Sequence, residues 1–311
     1  MPLFIDIFAK VYRSVLRSIF VRPTETTMDE AFLDIERKGY DAGVNPLMGS
    51  LKRTFRFPPV SYANKSELKV KFREQVRSEL KTAFVFNYQV TLTVTLYLNH
   101  EKLLETSEYG DLDNHAKAIC DAIKGQGGVL IDDCQIQRLD ICFIDTPKDS
   151  YFEIEVQGSP DDFCCADLKL YEMKDGLFYP VSEKVWEAGE FIEVDPSNKY
   201  FQVALLAAMT GVKRTVRHQA RQEGTPQFRA FQYGRRASPL QWSFHQTRIA
   251  DAGFPIVKRP EWEADYAAWA AQPSNQERAK SMEEMMKTYS SALQLAGGPP
   301  SASAEIERWN F

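Results

Sequence analysis

The sequence is poor in the features that define several common protein classes. Its five cysteines, Cys120, Cys134, Cys142, Cys164 and Cys165, are odd in number and include no CxxC pair. That pattern argues against a disulfide framework and against a structural zinc site, and it predicts a reducing, cytoplasmic setting. A long apolar run is also missing, because the most hydrophobic stretch, Met1 to Val21, is interrupted by Asp6, Lys10, Arg13 and Arg17. No transmembrane segment is expected. Nor is there an excess of positive charge: the formal net charge is -5. Without a global attraction to nucleic acid, any role on DNA must come from local clusters of lysine and arginine.

What remains is a chain able to bury a core, with 44% hydrophobic and 26% charged residues over 311 positions. That length favours two domains or one domain with large additions. Phe4, Phe8, Val11, Val15 and Ile19 recur at helical spacing, so an amphipathic helix should open the chain, packed on its own protein or on a dimer mate. Gly39, Gly43, Pro46, Gly49 and Pro58-Pro59 read as a linker and turn. The resulting division is an N-terminal helix and linker over 1–49, a first domain over 50–158, a C-terminal domain over 159–295, and a flexible tail over 296–311.

Within 50–158, Leu68, Phe72, Val76 and Leu80 behind Ser66 predict a helix over 67–82. Val90, Leu92, Val94, Leu96 and Leu98 alternate with Thr91, Thr93, Thr95 and Tyr97, a half-buried strand. A helix over about 114–124 should end at Gly125, Gly127 and Gly128, with strands over 135–145 and 151–157. Farther on, Asp175-Gly176 suggests a hairpin, 199–221 a helix, and Trp262, Tyr266 and Trp269 the core face of a helix starting at Pro260. The fold class is α+β.

The chemistry sits between Gly110 and Gln135. Asp111 and Asp113 lie two apart before a helix, a spacing that in extended backbone puts both carboxylates on one face. Asp132 and Asp133 follow the helix, and because consecutive strand residues point oppositely, one of them should join the pair. Three converging carboxylates repel one another unless a hard cation neutralises them, which suits Mg²⁺, with Mn²⁺ as a substitute. Lys117, four residues after Asp113, shares its helix face and could meet a phosphate. The bland alternative is a capped helix, a surface ion pair and a solvated turn.

The string Asp111-Leu112-Asp113-Asn114, Lys117, Asp121-Ala122 and Asp132-Asp133-Cys134-Gln135-Ile136 resembles the signature of the RusA family of Holliday junction resolvases. Phe57-Pro58-Pro59-Val60-Ser61 resembles that family's opening motif. The resemblance implies a RusA-like mixed sheet with helices, to which a C-terminal α+β region is added here. It further implies a homodimer, and Mg²⁺-dependent paired nicking of four-way DNA junctions in recombination and repair. On that reading Asp111, Asp113 and Asp133 are the metal-binding carboxylates, Lys117 is the essential lysine, and Asp132 is the supporting neighbour. Phosphodiester hydrolysis by metal-activated water follows. Gly110 stands where relatives often carry a basic residue, so phosphate grip should come from elsewhere.

Two basic clusters offer it. One contains Lys52, Arg53, Arg56, Lys65, Lys69, Lys71, Arg73 and Arg77; the other runs from Lys213 to Arg236 and includes Arg214, Arg217 and Arg221 beside Phe228, Phe231 and Tyr233. Lys52, Arg53, Lys65, Lys69, Arg214, Arg217 and Arg221 are the DNA-contact candidates. Two other readings compete with an endodeoxyribonuclease: a noncatalytic RusA-like DNA-binding or assembly module, and a nuclease of a defence or toxin system held in check by a regulatory protein through the C-terminal region.

Overall fold

The computed structural model describes residues 44–45, 49–106, 109–159, 162–187, 190–193, 195, 197–237 and 243–297. The amphipathic helix expected near the start lies outside them, as does the tail beyond Gly297.

The strand expected from the alternating valines, leucines and threonines is β4 (Val90–Asn99), and its pattern decides the architecture. It lies between β5 (Ile136–Thr146), to which it is parallel, and β6 (Tyr151–Gln157), to which it is antiparallel. β2 (Ser50–Phe55) and the two-residue β1 (Val44–Asn45) extend the sheet, giving the order β1-β2-β6-β4-β5. The stretch read as a linker thus supplies two strands. Its proline and glycine content is spent in the turns, and Leu51 and Phe55 are apolar at the period of two that β2 needs.

Two helices cover one face. α1 (Ser66–Leu80) buries Phe72, Val76 and Leu80; its N-cap is Lys65, with no side-chain cap, rather than the serine expected. α2 (His100–Glu105) is a short helix after β4, capped by the Asn99 side chain. α3 (Leu112–Ile123) buries Ala118, Ile119, Ala122 and Ile123. These side chains meet Leu92, Val94, Leu96, Phe152, Ile154 and Val156 in one core cluster. Burying each large apolar side chain there contributes about 1.5–3 kcal/mol. Phe55 stacks on Phe152 with ring centroids 4.7 Å apart, which fixes the register of β2 on β6.

The chain beyond Gln157 is tied to this layer by backbone. β7 (Phe163–Cys165) pairs antiparallel with β3 (Phe84–Phe86), the strand that follows α1. β8 (Leu168–Glu172) and β9 (Phe178–Ser182) form the hairpin expected at Asp175-Gly176, and β10 (Lys184–Glu187) pairs with β11 (Glu190–Glu193). Helices α4 (Ser197–Gln222) and α5 (Gln227–Ala237) come next, then the single-turn α6 (Gln246–Ile249) and β12 (Ile256–Val257), which joins β8 in parallel. α7 (Arg259–Ala271) starts with Pro260 in its first turn and buries Trp262 and Trp269, as their helical spacing predicted. α8 (Gln276–Gly297) carries helix two residues past the point where a tail was expected to begin. No helix among the described residues is long and apolar enough to cross a membrane.

Candidate active site

The lead-in turn Pro58 to Ser61 acts as a clamp on the start of α3. Tyr62 N–H donates to the Asn114 carbonyl at 3.0 Å, and the His115 Nδ1 lies 3.2 Å from the Val60 carbonyl. His115 is buried, and burial lowers its pKa, favouring the neutral ring. Gly110 has a steric reason: a Cβ there would lie 2.5 Å from the Ser61 hydroxyl oxygen. A side chain at that position would have to displace the Ser61 hydroxyl.

Asp111 is the N-cap residue of α3 and makes no side-chain cap hydrogen bond; Asp113 lies in the first helical turn. They are thus at a helix start, where amide N–H groups and the helix dipole favour negative charge, and not in the extended segment from which a shared face was argued. One turn on, the Lys117 ammonium sits 3.8 Å from the centre of the Tyr62 ring, and Lys69 of α1 lies 4.2 Å from the same ring. Tyr62 thus gathers two cations near the acidic helix start.

At the other end of α3, the glycine loop turns the chain back. Gly125 and Gly127 have φ of +77° and +83°, in the left-handed region that glycine enters without strain. Arg77 of α1 donates to the Ala122 and Lys124 carbonyls, so this member of the first basic cluster caps a helix C-terminus.

Past the loop, Asp132 and Asp133 do not begin a strand, as alternation assumed; Asp132 caps a one-turn 3-10 helix that starts at Asp133. The Asp132 carboxylate is buried and accepts from Cys134 N–H at 3.1 Å, opening the one-turn 3-10 helix Asp133–Gln135. Gln135 is wholly buried and uses all four of its hydrogen-bonding positions. Its oxygen accepts from the N–H groups of Ile131 and Asp132, and its amide donates to the carbonyls of Phe86 and Tyr88. Asp133, one-third exposed, faces outward.

Asp133 meets a residue that spacing did not single out. Lys124 binds the Asp133 carboxylate at 2.8 Å and that of Asp121 at 2.9 Å. Burial works against its charge, but these hydrogen bonds and the attraction of both carboxylates outweigh it and hold its pKa above the ordinary lysine value. Burial and the same two carboxylates push the nearby Cys120 thiol up to about 11, which leaves it protonated and unreactive at neutral pH. From outside the first domain, the Arg248 guanidinium of α6 lies 3.6 Å from Asp132 and 3.7 Å from Asp133.

The acidic residues therefore form two groups along one helix. Asp111 and Asp113 stand at its start, and Asp121 and Asp133 at its end, about 12 Å further along for Asp121 at 1.5 Å per residue. Among the described residues no three His, Cys, Asp or Glu side chains gather closely enough to hold a metal ion. The donors are nonetheless all carboxylate oxygens, the type that hard divalent cations take, and two side-chain cations already stand against Asp133. Beside them lies a groove of about 560 Å³ between α1, α3, the Ile131–Asp133 turn and the Thr247–Ala252 segment.

The other DNA-contact candidates fall elsewhere. Lys52 and Arg53 alternate across β2, and Lys65 caps α1; of the first cluster, Lys69, Arg73 and Arg77 line the groove. In the second cluster Lys213 is bound to Asp175 at 3.1 Å, Arg214 donates to the Lys174 carbonyl, and Arg217 stacks on Phe231. Arg221 remains exposed in the last turn of α4.

Fold and site together define a mixed-sheet domain whose central helix carries acidic residues at both ends and borders, with Tyr62 and Lys69, a groove lined by cations from α1 and α6. More particularly, residues 52–157 match the family model described as endodeoxyribonuclease RusA, so the chain carries a RusA domain over about a third of its length. That family consists of endonucleases of the Holliday junction resolvase type. No curated protein matches the chain.

Proposed function

We propose that this protein is a divalent-metal-dependent endodeoxyribonuclease that cuts branched DNA, with four-way junctions as its substrate and Mg²⁺ as its cofactor. The observation that carries the proposal is that the RusA match spans Asp111, Asp113, Lys117 and Asp133, all on α3 or on the turn that follows it. Asp111 and Asp113 at the start of α3 and Asp133 beyond its end are the carboxylates this reading assigns to the cation; because they stand in two groups, one ion shared by all three would require the two groups to close on it. Asp132 orients the turn bearing Asp133 through its own capping bond. When bound, such a cation supplies Lewis acidity for attack of water on the phosphodiester. Lys117, carried on the same helix and steadied by Tyr62, stabilises the charge that grows on the phosphate oxygens. Lys69 and Arg73 line the route of the strand.

The division of labour is a nuclease domain over 50–158 and a C-terminal domain over 159–295 that adds to the groove. Paired nicking calls for a homodimer. β5 is the open edge of the five-stranded sheet, with Leu139, Phe143 and Ile144 exposed along it, and it is the surface we assign to that contact.

The test is cleavage of a labelled four-way junction, beside linear duplex and a fork, in Mg²⁺ or chelator. Paired metal-dependent nicks in the junction are expected, lost to background in Asp111→Asn and Asp133→Asn while DNA binding persists. Junction binding with no cutting in any divalent cation would assign the protein instead to a noncatalytic assembly role. A co-purifying protein that silences cutting would mark the regulated form of a defence system.

A further inference from the structure

Arg248 lies ninety-one residues beyond the end of the RusA match, yet its guanidinium reaches the candidate active site. We infer that Arg248 is a positioning residue for the DNA strand, a phosphate-gripping guanidinium that the C-terminal region contributes to the nuclease groove. The inference rests on the nuclease reading above and assigns to that site a residue from outside the family domain.

The mounting of Arg248 is rigid. Ile249, Ala252 and Phe254 are buried in a core cluster with Val85 and Ile131, so the turn of helix carrying Arg248 is packed directly behind the Asp132–Asp133 turn. The Gln126 N–H donates to the Ala252 carbonyl at 2.6 Å, which ties the same segment to the glycine loop at the end of α3. Gly125 is needed for this approach, since a Cβ there would lie 2.8 Å from the Ala252 carbonyl oxygen. The His245 side chain accepts from Thr247 N–H and starts the turn.

The guanidinium is aimed by its contacts. Its Nη1 faces both carboxylates, Asp132 at 3.6 Å and Asp133 at 3.7 Å, and the side chain is 55% exposed toward the groove. A guanidinium carries five N–H donors in a planar fork, so holding two carboxylates through one nitrogen leaves a second edge for a phosphate. The same groove is lined by Lys69 and Arg73 of α1 and by Lys124. A backbone phosphate entering here meets cations from two walls, and the one from the C-terminal wall is Arg248. This arrangement also supplies a cation at the acidic turn, where Gly110 at the start of α3 brings none.

The test uses the full-length protein and a fluorescent four-way junction in chelator, so that binding is read without cutting. Equilibrium affinity is measured across a salt series for wild type, Arg248→Gln and Arg248→Lys, with thermal unfolding as the folding control. Loss of one phosphate contact should lower the slope of log K against log salt by about 0.9. The glutamine variant is expected to show that change with roughly five- to twenty-fold weaker binding, while the lysine variant keeps the slope and recovers part of the affinity. In Mg²⁺, KM for the junction should rise more than kcat falls. A residue that only neutralises Asp132 and Asp133 would leave the salt slope unchanged, and an unchanged slope and affinity in Arg248→Gln overturns the inference while leaving the nuclease reading intact. A wild-type protein that binds no DNA overturns both.

Discussion

Gln135 shows how one side chain can organise a site without touching substrate. Its four hydrogen bonds join the Ile131–Asp132 backbone to the carbonyls of Phe86 and Tyr88, and so lock the turn that presents Asp133 to the end of β3. Truncation would leave several buried backbone groups unpaired, each costing about 1–3 kcal/mol. Gln135→Ala is expected to lower stability by more than about 2 kcal/mol in urea denaturation, whereas Gln135→Glu, with one acceptor retained and the amide donor lost, should also destabilise. A glutamine replaceable at no cost would remove its structural role. The string Asp132-Asp133-Cys134-Gln135-Ile136 was legible as a motif whose resemblance gave Asp132 and Asp133 different roles, but the contacts made by its members were not legible. Asp132 is buried as a cap and Asp133 is turned outward because of what each finds nearby. Lys124 and Arg248 were invisible for the same reason: nothing in their local spacing marks them as partners of Asp133.

Elements followed the sequence closely where one periodicity dominated. β4 and α3 carry uninterrupted patterns of two and of three to four, and both lie within two residues of their expected bounds. The failure at 39–60 has a simple cause. β2 is only six residues long, sits between turn-forming residues, and owes its stability to pairing with β6, ninety-nine residues away for Thr54 and Glu153. Its anchor is aromatic, with Phe55, Phe57, Phe72 and Phe152 in mutual ring contact. Phe152→Ala should therefore cost about 3–5 kcal/mol, read by chemical denaturation, and should loosen β2 first in hydrogen exchange. Equal loss of protection at α7 would argue that the aromatic cluster does not act on β2 in particular. At the loop closing α3, Gly128 packs so closely that a Cβ would overlap the Ile123 carbonyl. Gly128→Ala is expected to destabilise by about 1–3 kcal/mol, and a neutral result in the same denaturation assay would refute that tight approach.

For the whole molecule, the open side of β5 is the feature that asks for a partner. Leu139 and Phe143 share the sheet face that carries the core leucines of β4, through the register Leu92 with Leu139 and Leu96 with Phe143, yet both remain more than 40% exposed. Among the described strands β5 pairs on one side only, and an edge strand with apolar side chains is poorly suited to water. Phe143→Glu is expected to shift the proposed homodimer to monomer in sedimentation at micromolar concentration, with paired nicks in a junction giving way to single ones. A wild-type protein that sediments as a monomer would remove that assignment.

The sequence by itself determined the α+β class, the strand and helices at the centre of the first domain, and the acidic string on which its likeness to an endodeoxyribonuclease family rests, because local periodicity and short motifs encode these within a few residues. Tertiary structure decided what a local pattern cannot hold. It separated the buried Asp132 from the outward Asp133, made Arg77 of the first basic cluster a helix cap, and brought Arg248 across more than a hundred residues of chain to the same carboxylates. The physical reason is that charge pairing and burial depend on distance in space, and that distance is set only once both segments have packed on the common core.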